Sequence, residues 1–599
     1  MKKFKKLLAL MLIIAMTMSI LAGCGKKTQD VTKEEEEVEV EKAESTGPKV
    51  YRKSGMSTDT LNPHVSDSTS ESYVMELIYG NLLDLIYDKE SEGLKFIPNH
   101  AEALPTTEDG ITWVFKLKKD IKWTDGTPID ANSYVWSWKM LLDPELINSG
   151  ARALFDTIPV VNALEYFKGE VEWEEVGIKA LDDYTLEIKL ETQMPEIDVL
   201  LTFSRGYQAT TPVHKELYEA GMKEKVKKEG EEDSKGLKET DYATSLEKTP
   251  SSGTYKLTEW VRDQHKVYEK NTGTPVADYY TPDRIEERVI SENSTRIQLF
   301  EKGELEAVSV TGDDYEKYAE DPRIVFQEAN TVWGFYINGK SEKNPILQNK
   351  DLRKALFYGI NRDAISKGVF KVYASSPYYI STPCMVGDWK EGLKYRDTEK
   401  AKAITPEGSG YNPELAKEYF EKAYAANGNK KIQIEIIYFE AQETMKRLSE
   451  VAEEEYEKLF GSDKLDITLR AMPPMAAYDT YENGDYDMGI GARGQNTFNA
   501  WKSMVVWTSD FPNKTDTMYN KEFDELFKRT TQGDLMNKPE ERIEALVRME
   551  EILMDEIPLI PIFQNNNAVM YQDRIKLITG GKYMPEVGFA PYQAEILDQ

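Results

Sequence analysis

The sequence has 599 residues, a formal charge of −30 and 40% hydrophobic content, enough chain and apolar material for large cores and two or more domains. The acidic balance excludes a nucleic-acid partner, because phosphate binding needs clustered Lys and Arg whose counterion release drives affinity. With 2 Cys in all, the body cannot be a disulfide-dense scaffold.

The chain begins with Lys2, Lys3, Lys5 and Lys6, followed by an apolar run over residues 7 to 20 and then small residues. A positive segment, a short apolar core and small residues make an export signal; the run is too short for a spanning helix, which needs roughly 20 apolar residues. Leu21-Ala22-Gly23-Cys24 resembles the lipobox of bacterial lipoprotein precursors. That resemblance implies a signal peptide over 1–23 and a lipid-bearing Cys24 as the first mature residue. Acyl chains hold a soluble body to a membrane by burying methylenes at about 0.8 kcal/mol each. Cys384 is then the only thiol of the folded body, expected to be partly buried and unreactive.

Residues 24–49 carry few large apolar side chains and four consecutive glutamates at 34 to 37. They cannot bury enough surface to offset the entropy of ordering and read as a disordered acidic tether or a short solvated helix. From Val50 the pattern becomes mixed α/β. "ITWVFKLKKDIKW" (111 to 123) alternates like a half-buried strand with Trp113, Phe115 and Leu117 on one face. "DGTP" is a turn, and "DANSYVWSWKMLLDP" (130 to 144) reads as a helix that Asp130 or Asn132 caps and that ends before Pro144. "LDDYTLEIKL" (181 to 190) is a strand led by a turn, and 221 to 248 is a charge-rich surface insertion. "NKDLRKALFYGINRDAISKGVF" (349 to 370) has helical apolar spacing. Residues 539 to 563 read as a long amphipathic helix running into a buried strand.

Six stretches, in order, resemble the solute-binding proteins of oligopeptide and dipeptide ABC importers, solute-binding family 5: "TLNPH" at 60 to 64, the run at 98 to 144, "SSGTYKLTEW" at 251 to 260, "RIQLFEKGELEA" at 296 to 307, "DLRKALFYGINRDAI" at 351 to 365 and "ILMDEIPLIPIF" at 552 to 563. The resemblance implies an α/β, two-lobe periplasmic-binding-protein clamshell (type II, Venus flytrap) with an extra subdomain in lobe I. Lobe I would take 50–333, with the extra subdomain at about 72–205. Lobe III would take 334–562, and 563–599 would return to lobe I. The implied partners are an oligopeptide, held between lobes by hinge closure, and the ABC permease that reads the closed form on the outer face of the cytoplasmic membrane. Neither cofactor nor catalysis is implied, and a monomer suffices.

An extended peptide offers regularly spaced backbone groups that strand-like edges can pair with. By motif position the ligand contacts would be Ser57 and Thr58 before "TLNPH", Trp136 on the helix after "DGTP", and Trp333, Phe335 and Asn338 at the first crossover. Trp136 has a competing reading as core. Oligopeptide binders carry a Trp and then an Asp-Tyr pair in lobe III, whose Asp receives the peptide's amino terminus; here the corresponding "YDMGIGARGQNTFNAWKSMVVW" (486 to 507) has Gly494, Gln495 or Asn496 in its place. A neutral amide cannot give an ammonium group the charge-assisted contact a carboxylate gives. Gln495, Asn496 and Phe498 are contact candidates, with Arg493 as a partner for a ligand carboxylate.

No H-E-x-x-H, G-x-S-x-G or Walker loop occurs. "NGDYDMGIGARG" starts like a calcium loop, but Met488 takes the glycine position and Gly494 the closing glutamate's. The 4 His are scattered, which offers no metal cluster. Two alternatives remain open: a receptor for an oligosaccharide, favoured by the missing aspartate and many aromatics, and a lipid-anchored hydrolase, since abundant carboxylates can form a catalytic pair by chance.

Overall fold

The structure, a computed structural model, describes residues 47–597 apart from 67, 226–236, 311, 329–330, 388–392, 441, 495–497, 512–513, 565 and 585. The leader, Cys24, nearly all of the tether and the core of the 221 to 248 insertion lie outside the described residues. Pro48–Gln599 form one compact unit, within which two large hydrophobic cores are separate.

The first core is built by β1 (Val50–Gly55), α1 (Thr69–Ile78), β2 (Thr112–Lys116), α2 (Ala131–Leu141), β3 (Ile178–Asp182), β4 (Thr185–Lys189), β5 (Tyr255–Val261), β6 (His265–Lys270) and β7 (Arg284–Val289). Its sheets run β1-β7-β6-β5 and β2-β4-β3. The alternation at 111 to 123 does bury Trp113, Phe115 and Leu117, though the ladder ends at Lys116. α2 starts where Asp130 accepts from Ser133 N at 2.8 Å and Ser133 Oγ accepts from Asp130 N at 3.2 Å, a reciprocal cap that satisfies two orphan donors.

The chain continues through α3 (Asn293–Glu301), β8 (Ala307–Val310), β9 (Ile324–Gln327) and β10 (Val332–Ile337) into the second body. There α4 (Lys350–Tyr358), β11 (Ala374–Ser375), β12 (Ile432–Phe439), α5 (Glu443–Phe460), β13 (Leu465–Met472), β14 (Met488–Arg493), α6 (Pro539–Glu556) and β15 (Leu559–Gln564) build a sheet of order β11-β15-β10-β14-β12-β13. The helical spacing over 349 to 370 is realised in two pieces: α4 ends at Tyr358, and Asn361 caps a new turn by accepting from Ala364 N at 3.0 Å. Asn side chains compete for nearby backbone donors, so a second cap inside an apolar pattern restarts the helix. Cys384, expected to be partly buried, is fully enclosed, and burial pushes its thiol up.

After β15 the chain returns as β16 (Asn567–Tyr571), the central strand of a small sheet ordered β8-β16-β9. The outgoing β9 and β10 therefore run beside the incoming β16 and β15, antiparallel throughout. The C-terminal residues Phe589, Ala594 and Ile596 complete the first core.

β10 and β15 approach so closely at Gly334 that a Cβ there would lie 1.9 Å from the Ile560 carbonyl oxygen. Gly334→Ala is expected to destabilise the second body by about 2–4 kcal/mol. The readout is the midpoint of urea unfolding, and an unchanged midpoint would contradict the packing described.

Candidate functional site

The carboxyl end of β1 opens onto a cavity of about 500 Å³, the size of a pocket for a small organic guest. Its walls come from β1 (Lys53 to Met56), α1 (Tyr73 and Glu76), Arg205, Arg296 on α3, Gln327 on β9 and the C-terminal run from Tyr583 to Gln593; Phe498 is the second body's contribution. Five further contacts bind the bodies beside it. Lys502 Nζ lies 3.1 Å from Asp198 Oδ1, Asn499 Nδ2 donates to the same carboxylate at 3.3 Å, and Lys502 donates to the Thr157 carbonyl at 3.4 Å. Met536 enters the first core, and Phe498 packs on Tyr583 with centroids 5.9 Å apart. The two bodies are thus described in contact, with Asp198 almost fully buried.

Most charges on the cavity wall have partners. Glu287 takes Lys53 at 3.2 Å, Lys266 at 2.8 Å and the Tyr268 hydroxyl at 3.1 Å; burial opposes its charge, yet the two lysines hold its carboxyl below the usual range. Lys53 also donates to Tyr592 Oη at 3.2 Å. Arg205 reaches Asp84 at 3.5 Å and donates to Tyr280 Oη at 2.8 Å. Glu76 and Glu586 differ. Among the described residues Glu76 accepts only from Gln208 Nε2, at 3.4 Å, and burial raises its carboxyl against the pull of Arg205 and Lys53. Burial first, and then the charge of Glu76, push Glu586 up to about 7, with Lys502 opposing. Desolvation and a like charge both disfavour a carboxylate.

The sequence candidates are placed as follows. Phe498 lines the cavity. Ser57 and Thr58 directly follow the lining residue Met56; Ser57 Oγ donates to Asp263, and Thr58 is buried with its hydroxyl unpartnered. Trp333 is half-buried, with its ring parallel to Phe563 at 6.1 Å. Gln495 and Asn496 lie outside the described residues. Four other candidates are not among the residues that line the cavity. Phe335 is in the second core, because β10 is flanked by β15 and β14 and buried on both faces. Asn338 is buried, and its amide donates to the Gly484 and Tyr486 carbonyls at 2.9 and 3.0 Å. Trp136 meets the edge of Tyr218 and the Lys215 ammonium, away from the cavity. Arg493 is buried, donating to Asp516 at 2.6 Å and Thr515 at 2.7 Å, so its charge is already matched. The calcium-like segment is likewise occupied by protein: Asp487 accepts from Asn344 Nδ2 and Glu435 N. Glu76, Arg296 and Glu586 were not read from the sequence, since no motif marks them and they meet only through the fold.

Comparison with known proteins gives three results. The family model described as bacterial extracellular solute-binding proteins, family 5 middle, matches residues 95–515. The chain is similar to the dipeptide-binding protein DppE of Bacillus subtilis, 24% identical over 96% of this chain and 97% of the relative, and to the periplasmic oligopeptide-binding protein OppA of Haemophilus influenzae, 25% identical over 88% and 90%. The structure of Listeria monocytogenes OppA bound to peptide superposes with a TM-score of 0.70 at 20% identity, covering 92% of this chain and all of that one; it establishes the shared two-lobe α/β fold.

Two expectations follow from the site. Lys502→Met leaves Asp198 buried without its cation, which should weaken the contact between the two bodies by about 2–3 kcal/mol. Hydrogen exchange over 195 to 203 should accelerate, and unchanged exchange would contradict the role given to this ion pair. Because the folded state raises Glu586, it binds that proton more tightly than the unfolded chain, so the ligand-free protein gains stability as pH falls from about 7 toward the ordinary glutamate range. Glu586→Gln should therefore raise stability by about 1–3 kcal/mol at pH 8 and leave it unchanged near pH 4. Parallel thermal-denaturation curves for the two proteins across that range would refute this.

Proposed function

Because the chain belongs to the bacterial extracellular solute-binding proteins of family 5, a family of binding proteins without catalysis, we propose that it is the membrane-tethered receptor of an ABC importer that captures oligopeptides. Cys24 carries the lipid, residues 24–49 serve as the tether, and the folded body works on the outer face of the cytoplasmic membrane. The lobes correspond to 50–333 with 563–599, and 334–562, with the extra subdomain at about 72–205.

The observation that carries this reading is the cavity at the junction of two separately cored bodies, with Phe498 crossing from one to the wall supplied by the other. Each body alone offers part of the contact set, so a guest stabilises the closed arrangement by its differential affinity for it. The free end of β1 supports the peptide assignment, since an extended ligand can pair with backbone there whatever its side chains. The similarity to the dipeptide-binding protein DppE and the oligopeptide-binding protein OppA agrees with it. The permease would read the closed form.

The cavity is also rich in aromatic faces, including Tyr73, Tyr280, Tyr583 and Tyr592, which favours an oligosaccharide as the second reading. Native mass spectrometry of protein purified without refolding decides between them. Co-purified peptide masses are expected; a carbohydrate mass would transfer the assignment, and a guest cleaved during incubation would overturn the non-catalytic reading. For the anchor, Cys24→Ala should release the protein from the membrane fraction into the soluble fraction, and retention would contradict lipidation.

A further inference from the structure

Glu586 and Arg296 line the same cavity, and both lack protein partners. Among the described residues, no side-chain hydrogen bond or ion pair reaches either one, and Arg296 Nε is enclosed without an acceptor. They stand out against Lys53, Arg205 and Glu287 on the same wall, all of them paired. An unpaired charge held away from bulk water is costly. Here two opposite charges share one chamber without neutralising each other, which leaves space between them for a guest of complementary polarity.

We propose that the cavity is a zwitterion site, in which Glu586, seconded by Glu76, receives the ammonium group of the ligand and Arg296 receives its carboxylate. Charge-assisted hydrogen bonds of this kind are roughly twice as strong as neutral ones, and a guanidinium grips a carboxylate through two parallel bonds. The proposal rests on the peptide reading only for the identity of the guest. It answers the loss of the aspartate in the 486 to 507 segment by moving ammonium recognition to the C-terminal return of the first body. The guest must be short enough for both ends to lie in one chamber.

The site carries a pH signature. Glu586 faces Glu76 from α1, Lys502 from the second body, and the Tyr207 and Tyr583 hydroxyls, with Arg205 and Lys53 behind Glu76. Lys502 is committed to Asp198, so it does not replace a ligand cation. A carboxyl poised near neutrality loses its charge on acidification, so capture should weaken about tenfold between pH 8 and pH 6.

The test uses the full-length chain in detergent and an equimolar pool of alanine and lysine di-, tri- and tetrapeptides, each with free, N-acetylated or C-amidated ends. Bound peptides are counted by mass spectrometry. Wild type should recover free peptides at least tenfold over either blocked form. Glu586→Gln should abolish discrimination against acetylation and the pH dependence, while Arg296→Gln should abolish discrimination against amidation only. A lysine preference that survives acetylation would assign the cation to a side chain instead of the amino terminus and refute the terminal ammonium assignment. Equal recovery of free and blocked peptides, or variants that discriminate as wild type does, would overturn the zwitterion site while leaving the peptide receptor intact. Thermal shift with 6-aminohexanoate, against hexylamine and hexanoate, separates the remaining case. If no peptide is recovered but the amino acid alone stabilises wild type and neither variant, the charge pair stands and the peptide reading falls; if it too is silent, both fall.

Discussion

The double passage of the chain between its two bodies is the constraint on which the rest depends. β9 leads out to β10 while β15 leads back to β16, and each outgoing strand is hydrogen-bonded to an incoming one. Two antiparallel crossings restrict the bodies to motion about a common axis, as a hinge requires. The β10–β15 pair sits inside the six-stranded sheet of the second body, and β16 is the middle of the β8-β16-β9 sheet, so each half of the crossing is rigid.

The Asp198–Lys502 contact, the insertion of Met536 and the approach of Phe498 to Tyr583 all span the two bodies. Buried ion pairs contribute little net stability against the cost of desolvating them, but removing one partner is severe. The Asp198 cluster therefore serves better as a register for closure than as its driving force. In the proposed receptor, the free energy of closure would then come from the guest, as is needed if ligand is to control its state. The cavity electrostatics agree with the proposed role: burial and the charge of Glu76 raise the Glu586 carboxyl, and among the described residues Arg296 Nε has no acceptor, a cost that a bound guest would relieve.

The fold was largely legible because it rests on local signals. The Asp130–Ser133 cap and the amphipathic run after it define α2, and the resemblance carried by the six ordered stretches implied the two-lobe α/β fold. The break after α4 was hidden because Asn361 sits in an otherwise helical apolar pattern, where its capping role shows only once its side chain is seen to accept from Ala364. The site was less legible. Motif position puts Phe335 at the first crossover, but β10 is a central strand of its sheet, and Phe335 is core. Arg493 had no visible partner nearby in sequence because Asp516 lies across an intervening helical turn. Glu76, Arg296 and Glu586 come from remote parts of the chain, and only tertiary structure makes them neighbours of one cavity.

Small-angle X-ray scattering before and after stripping of bound ligand reads the proposed hinge. The stripped protein should have a larger radius of gyration, and the peptides it releases should restore the compact profile when added back. Identical scattering from the stripped and reloaded protein would contradict a hinge worked by its guest.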